Sequence, residues 1–336
     1  MRSSDGDGAV AGFRWRKLGR VFCPQEYGGP DWMSEFAQAP ATLLFDDFVR
    51  VYFSCRPPAD AQGQYVSYSA FVDLDRSNLF RILRVSERPI LELGGLGTFD
   101  EFGTYPVSVI RDGERVFAYY GGWTRCESVP YDVAIGMAVS HDGGETFERC
   151  GPGPVLSRYL DEPMTVSGPK IRRFGGRWYL FYVAGRKWKV VDSRPESIFR
   201  IRVATSHDGV RWVREGRDLI EAVLEADECQ ASPDVVRIGG LYHMFFSYKY
   251  GSDFRKAARG YRIGYGWSDD LLHWTRDDAA AGIELSASVE WDGDAQAYPH
   301  VFELDGGTYL LYLGNEVGRY GFGLARLERG AAGGPS

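Results

Sequence analysis

Short apolar runs, separated by turns that contain Gly and Asp, recur along almost the whole chain. Many of these runs are rich in aromatic and β-branched residues, which favour β-strands. Five of them follow a Gly or Asp turn pair: VRVYFSC, RVFAYYGG, RWYLFYVAG, LYHMFFSYK and TYLLYLGN. Pairs such as Asp112-Gly113 and Gly175-Gly176 suit the tight turns of antiparallel hairpins. The pattern therefore predicts an all-β chain built of antiparallel meanders.

The meander repeats five times, and each copy is marked by a proline that opens a strand-like run. The spacings between these prolines are 66, 63, 64 and 66 residues, and the prolines are Pro40, Pro106, Pro169, Pro233 and Pro299. A repeat of about 65 residues made of short antiparallel strands is typical of a propeller blade. We predict an all-β, five-bladed β-propeller that forms a single domain over residues 1–336. A two-sheet sandwich or two small β domains would leave five in-phase repeats unexplained.

The two ends of the chain complete this architecture. The last repeat stops at its third strand, near Glu328. The segment 13–18 alternates between apolar and polar residues and belongs to no repeat. We predict that it supplies the missing outer strand of the last blade and so closes the ring. Residues 330–336 are rich in Gly, and we predict a disordered tail there.

Charge and cysteine content indicate which classes of partner and which cellular compartment to expect. The net charge is -7 and the pI about 5.4, which disfavours nucleic acid and anionic membranes as partners. The five cysteines are odd in number and have no CxxC spacing, so we expect neither a disulfide framework nor a zinc site. The N-terminal residues lack an apolar run, and no stretch resembles a membrane helix. We therefore expect a cytoplasmic protein that binds a small molecule.

The segments before the five prolines carry the candidate catalytic groups. The first strand of each propeller blade lines the central channel, so these segments converge there. Each of the five contains a carboxylate, and we expect a ring of acids around one channel mouth: Glu35, Glu101, Asp161, Glu162, Glu228 and Asp294. Glycoside cleavage needs one protonated and one ionised carboxylate, and like charges and burial separate their pKa values. The alternative for any single acid is an exposed loop residue without a chemical role.

Basic and aromatic side chains near the same loops are candidates for substrate binding. The predicted set, which includes one of the acids, is Arg56, Tyr105, Arg186, Lys187, Lys249, Arg255, Asp294, Tyr298 and His300. Cations beside carboxylates can hold a substrate anion, but they can equally neutralise the acids, and the aromatic rings can equally belong to the core between blades. We expect no cofactor, but a calcium ion bound by carboxylates in the channel stays open as an alternative, although no ligand spacing demonstrates it.

Three local motifs resemble those of the five-bladed propeller glycosidases, which include fructosidases and invertases, arabinanases and xylosidases, and mannoside phosphorylases. The segment WMSE (32–35) resembles the fructosidase WMND motif, with Glu35 at the nucleophile position, and Glu228-Cys229 resembles their acid/base pair. The segment SGP (167–169) resembles the arabinanase EGP motif, with Ser167 in place of the catalytic Glu. The resemblance covers residues 30–328, and the overall likeness is greatest to propeller proteins found among bacterial sugar-biosynthesis genes.

The resemblance implies a glycoside hydrolase-like enzyme that acts on a small glycoside or sugar conjugate. Glu228 would be the acid and Glu35 the base or nucleophile, while the remaining acids would tune pKa values or bind hydroxyl groups. Ser167 and Ala39 depart from this pattern, because both positions carry an acid in arabinanases. Three alternatives stay open: a phosphorylase or transglycosidase, a non-catalytic sugar-binding propeller, and a propeller recruited for other chemistry in a biosynthetic pathway.

Overall fold

The computed structural model describes residues 12–252, 259–287 and 290–328 and shows five four-stranded antiparallel sheets arranged as the blades of a propeller. The strands of the first two blades are β2 (Glu35–Leu44), β3 (Phe48–Arg56), β4 (Tyr68–Asp75) and β5 (Asn78–Val85), then β6 (Gly103–Asp112), β7 (Arg115–Arg125), β8 (Tyr131–Ser140) and β9 (Glu148–Arg149). Both blades are meanders in chain order. The predicted blade architecture is therefore confirmed.

The third and fourth blades repeat this order. Their strands are β10 (Val166–Phe174), β11 (Arg177–Val191), β12 (Arg194–Ser206) and β13 (Val213–Arg214), then β14 (Cys229–Ile238), β15 (Leu241–Lys249), β16 (Arg262–Ser268) and β17 (Thr275–Arg276). Strands β11 and β12 are much longer than their counterparts, so their hairpin extends beyond the ends of the other blades. Short helical turns occupy α1 (Pro24–Tyr27), α2 (Asn315–Gly318) and two 3-10 turns, Asp31–Met33 and Asp278–Ala281.

The fifth blade joins the two ends of the chain. It contains β18 (Ala297–Leu304), β19 (Gly307–Leu313), β20 (Phe322–Leu327) and, as its outermost strand, the N-terminal β1 (Trp15–Phe22). The predicted ring closure is confirmed, although the closing strand runs four residues further than the segment 13–18 that we expected. Residues 330–336, where we predict a tail, lie outside the described residues.

Five apolar clusters hold the ring together, and each lies between two neighbouring blades. The cluster that closes the ring packs Val49 and Phe53 of the first blade against Phe302 and Leu311 of the fifth. The other clusters join blades one and two, two and three, three and four, and four and five in the same way. Burial of these side chains stabilises the ring. The blades consequently form one domain, and no helix in the described part of the chain is long and apolar enough to span a membrane.

The five repeat prolines lie inside the first strands rather than at their beginnings. At each of them the ladder to the second strand is interrupted, because proline has no N–H to donate. Four of the preceding residues have positive φ: Ala39, Gly168, Ser232 and Tyr298. Such bulges turn the backbone toward the channel, and five of them form a ring at the centre of the molecule.

Candidate functional site

A cavity of about 610 Å³ lies at the centre of the ring, directly above the proline bulges. Its floor contains Pro106, Gly168, Ser232 and Tyr298 from four different blades. Its wall comes from the ends of the second strands and the loops that follow them, since first strands begin and second strands end on the same side of the ring. The volume is in the usual range for a small-molecule site.

Aromatic rings dominate the cavity wall. The lining rings are Tyr65, Tyr105, Trp123, Tyr131, Phe199, Tyr261 and Tyr298. The hydroxyls of Tyr105 and Tyr298 lie 2.6 Å apart, and Ser167 and Ser232 add further hydroxyl groups. Burial raises the pKa of Tyr105 and that of Tyr298, so both stay neutral phenols at ordinary pH. The cavity thus offers flat apolar faces beside neutral hydroxyl groups.

The charged side chains on this wall are both basic. They are Arg56, at the end of β3, and Arg125, at the end of β7. No carboxylate belongs to the described lining residues. Acid residues at the strand starts therefore do not form the expected ring around the channel mouth.

Instead, each blade from the second to the fifth has a buried carboxylate in the segment just before its first strand. The four acids are almost fully buried: Asp100, Glu162, Glu228 and Asp292. Each pairs with a cation from the outermost strand of the same blade, and these cations are, in the same order, Arg149, Arg214, Arg276 and Lys17. In three blades a tyrosine of the second strand also donates its hydroxyl to the acid: Tyr120, Tyr182 and Tyr312. We call each such group a blade clamp, because it ties the innermost strand to the outermost.

Glu228 is the best-defined of these clamps. Its carboxylate accepts hydrogen bonds from Arg276 Nη1 at 2.7 Å, from Gln230 Nε2 at 2.9 Å and from the N–H groups of Val223 and Leu224. Burial raises the pKa of Glu228, but these hydrogen bonds outweigh burial and the net pKa is lowered. A general acid needs a raised pKa, so the environment of Glu228 opposes the acid role that the resemblance implies.

The other predicted acids lie in different surroundings. Glu162 is buried between Arg202 and Arg214, and Asp161 next to it is half-exposed and pairs with Arg202 at 2.8 Å, which lowers its pKa. Glu101 lies in a loop, where it accepts a hydrogen bond from the N–H of Gly97. Asp294 is exposed in the loop before β18. None of these four carboxylates lines the cavity.

Glu35 is the one predicted acid that is bonded to a cavity-lining side chain. Its Oε2 accepts a hydrogen bond from Tyr65 Oη at 3.1 Å, and Arg319 Nη2 lies 4.0 Å away. The Glu35 side chain is about 21% exposed. Burial and the bond to Glu35 raise the pKa of Tyr65, so Tyr65 is a neutral phenol that donates its hydroxyl to the Glu35 side chain. Tyr65 itself was not predicted, since it lies in a loop outside every repeat motif.

The predicted binding residues divide into two groups. Arg56, Tyr105 and Tyr298 line the cavity. The remaining described ones do not: Arg186 and Lys187 are exposed on the long hairpin and pair with Asp218 and Asp227, Lys249 is buried over Tyr261, and Asp294 is exposed. Arg255 lies outside the described residues.

His300 lies below the cavity floor in a buried cluster that joins four blades. The N–H of Thr42 donates to His300 Nε2 at 3.0 Å, so that nitrogen is unprotonated, and Nδ1 lies 3.1 Å from both Asp234 Oδ2 and Lys170 Nζ. Arg172 also pairs with Asp234. Burial and Lys170 lower the pKa of His300 to about 3, and burial lowers that of Lys170 to about 8. We call this group of His300, Lys170, Asp234 and Arg172 the axis cluster.

No group of three or more His, Cys, Asp or Glu side chains within residues 12–252, 259–287 and 290–328 is arranged to hold a metal ion.

Sequence comparison finds similarity to known proteins over most of the chain and, for another protein, over half of it. No protein-family model matches the chain. An uncharacterised protein of Mycobacterium tuberculosis, Rv1502, is 36% identical over 317 residues, which cover 94% of this chain and 99% of the relative. A β-1,2-mannobiose phosphorylase of a Thermoanaerobacter species is 26% identical over 178 residues, or 50% of this chain and 54% of that enzyme.

Several solved structures with the same fold are described as glycoside hydrolases. One described as a glycoside hydrolase superimposes with a TM-score of 0.73 at 17% identity, over 97% of this chain and 95% of that one. A glycosyl hydrolase from Bacteroides ovatus gives 0.69 at 14% identity, over 96% and 95%. A β-fructofuranosidase from Bombyx mori gives 0.60 at 16% identity, over 89% of this chain and 63% of that one. The predicted likeness to propeller glycosidases is confirmed at the level of fold.

Proposed function

This chain belongs to the family of the Mycobacterium tuberculosis protein, and from its glycosidase-type propeller and its central cavity we propose that it cleaves or transfers a glycosidic bond of a small sugar conjugate. The lining of the cavity is the observation that carries this proposal. The flat C–H faces of a sugar ring pack against aromatic rings, and its hydroxyl groups bond to phenol and serine hydroxyls. Seven aromatic residues and two serines provide both kinds of contact at the centre of the ring.

Glu35 is the proposed proton carrier in this site. It is the predicted acid closest to the substrate space, and it reaches that space through the hydroxyl of Tyr65. A carboxylate bonded to a phenol can accept the proton of the phenol hydroxyl. The phenol oxygen can at the same time accept a proton from the substrate or bind to the substrate. The proposal leaves out Glu228 and Glu162, because both carboxylates are buried, bonded to arginine and absent from the described lining of the cavity.

Transfer to phosphate is the second candidate reaction. Hydrolysis by the two-carboxylate mechanism needs a second acid across the sugar ring, and the described lining of the cavity contains none. A phosphate ion would supply its own attacking oxygen and so would need only one protein acid. The partial likeness to a β-1,2-mannobiose phosphorylase favours this candidate.

A turnover screen tests the proposal. Wild type, Glu35→Gln and the exposed control Glu148→Gln would be assayed on aryl furanosides and pyranosides, each with and without phosphate. We expect turnover that falls by about a hundredfold or more in Glu35→Gln, since general acid–base catalysis contributes about 10²–10⁴, and that is unchanged in the control. Phosphate dependence would identify a phosphorylase. Equal turnover in wild type and Glu35→Gln would contradict the role of Glu35.

A further inference from the structure

The cavity carries positive charge in a protein whose overall charge is negative. The chain has 46 acidic and 39 basic residues, yet the charged groups on the described cavity wall are Arg56 and Arg125. An excess of arginine at this place is therefore a property of the site and does not follow from composition. A cavity lined by one sign of charge attracts ligands of the opposite sign.

Arg56 is held by neutral groups. Its guanidinium carbon lies 4.8 Å from the ring centre of Phe36 and 5.3 Å from that of Tyr65, and Nη2 donates to Gln38 Oε1 at 3.3 Å. Its Nε is buried and has no hydrogen-bond partner within the described parts of the chain. No carboxylate of those parts lies within 4.0 Å of Arg56. Arg56 therefore forms no ion pair within the described parts of the chain, although Glu35 stands opposite it in the ladder between β2 and β3.

Arg125 approaches the same tyrosine from the other side. Its Nη2 donates to the carbonyl oxygen of Tyr65 at 3.0 Å, and its guanidinium carbon lies 4.2 Å from the ring centre of Phe102. Oδ2 of the half-exposed Asp60 side chain lies 3.8 Å from Arg125 Nη2, and its Oδ1 accepts hydrogen bonds from two backbone N–H groups. The two guanidinium groups thus flank Tyr65 at one side of the cavity.

The arginines of the blade clamps, which lie away from the cavity, provide the comparison for Arg56. Arg149, Arg214 and Arg276 each reach a buried carboxylate of their own blade. Burial of an unpaired charge is costly, and Arg56 departs from this rule at the cavity wall. Below the floor, Lys170 and Arg172 face the single carboxylate of Asp234, so the axis cluster adds no negative charge to compensate Arg56.

We propose that the ligand of the cavity is an anionic sugar whose phosphate or carboxylate group binds between Arg56 and Arg125. This inference rests on the proposed function, because it takes the cavity as a sugar site. Guanidinium groups bind both anions with paired, charge-assisted hydrogen bonds. The sugar ring then lies over the aromatic floor near Tyr105 and Tyr298, and the anion fixes which end of the sugar faces Tyr65 and Glu35.

Calorimetric titration with a matched panel tests this proposal. The probes are neutral aldoses, their 1-phosphates and 6-phosphates, the corresponding uronates, and inorganic phosphate. The proteins are wild type, Arg56→Gln, Arg56→Lys, and Arg211→Gln, a control in which an exposed arginine of a surface turn loses the same charge. Thermal melting of each variant verifies that it is folded.

We expect an anionic sugar to bind at least tenfold more tightly than its neutral parent, with an affinity that falls as salt is added. Arg56→Gln should lose about tenfold to a hundredfold of that affinity, the usual size of a charge-assisted hydrogen bond. Arg56→Lys should lose less, and Arg211→Gln none. Preference for the phosphates or for the uronates identifies which anion the arginines hold.

Other outcomes separate the two proposals. Equal affinity for neutral and anionic sugars, unchanged in Arg56→Gln, would overturn the anion site and leave the carbohydrate function standing. Binding of inorganic phosphate that depends on Arg56, with no sugar bound, would support the anion site and overturn the carbohydrate function. Absence of binding by every probe would overturn both.

Discussion

The first blade differs from the other four in the partners of the acid that lies near the start of its first strand. In blades two to five, a carboxylate before or at the start of the first strand is buried and paired with a cation of the outermost strand. In the first blade, Glu35 has no such cation and instead accepts a hydrogen bond from Tyr65 at the cavity wall. The acid near the start of the first strand is structural in those four blades, and in the first blade it is bonded to a side chain of the cavity wall.

This difference teaches how a symmetric fold acquires an asymmetric site. The clamps stabilise four blades and remove their carboxylates from the channel. The described lining of the cavity consequently contains no acid. Glu35 of the first blade lies near it, bonded to the lining residue Tyr65. Both arginines of the wall, Arg56 and Arg125, come from the first two blades, so the charged side chains of the described lining lie on one side of the ring.

The largest predicted effect concerns a blade clamp. Glu162→Ala leaves Arg202 and Arg214 buried without their shared carboxylate, and removal of one partner of a buried ion pair costs about 3–5 kcal/mol. Glu35→Ala should change the free energy of unfolding by less than about 1 kcal/mol, because Glu35 is partly exposed and Arg319 is 4.0 Å away. Urea unfolding of both variants measures the two values. Similar losses would remove the distinction between the first blade and the others.

The second prediction concerns the axis cluster, where His300 faces Lys170, Asp234 and, through Asp234, Arg172. The pKa of His300 is about 3 in the folded protein and about 6.5 when unfolded. Below pH 6.5 the unfolded chain therefore binds a proton that the native protein does not, and stability falls as the pH falls. Between pH 7 and pH 5 this group should contribute a loss of about 2 kcal/mol.

Urea unfolding at the two pH values measures this contribution. His300→Gln should be less stable than wild type at pH 7 but should show a smaller loss on going to pH 5. The exposed residue His141 provides the control, and His141→Gln should keep the wild-type pH dependence. An equal loss in wild type and His300→Gln would mean that His300 is not held neutral.

The smallest predicted effect compares two tyrosines that both donate to a carboxylate. Tyr120 bonds to Asp100 inside a clamp, and Tyr65 bonds to Glu35 at the cavity. Tyr120→Phe should lower the free energy of unfolding by about 1–2 kcal/mol with no change in turnover. Tyr65→Phe should lower turnover by about tenfold or more with little change in stability. The reverse assignment of losses would contradict the division between clamps and site.

The fold could be predicted from the sequence because the repeat is long and regular. The five prolines mark the blades, and the unassigned N-terminal segment marks the closing strand. The bulges could not be predicted, since nothing in the amino-acid sequence shows that Ala39 or Ser232 adopts a positive φ before a proline. The prolines therefore lie inside the first strands, two to five residues after the strands begin.

The site was predicted only in part, because sequence position does not say which way a side chain points. The clamps have a signal that could have revealed them: an aromatic residue followed two positions later by a cation, in the pairs Phe147/Arg149, Trp212/Arg214, Trp274/Arg276 and Trp15/Lys17. This motif is absent from the first blade's outer strand, NLFRILRV. Tyr65, by contrast, enters the cavity from the loop between β3 and β4, where no periodicity indicates its direction.

One side-by-side measurement tests the central claim that the clamps are structural and that Glu35 serves the cavity. Turnover per folded molecule and the free energy of unfolding would be determined for Glu35→Gln and Glu228→Gln. We predict that Glu35→Gln loses turnover and keeps its stability, while Glu228→Gln loses stability, because Arg276 loses its carboxylate partner, and keeps the turnover of its folded fraction. Loss of turnover in a fully stable Glu228→Gln, with Glu35→Gln unaffected, would contradict the account.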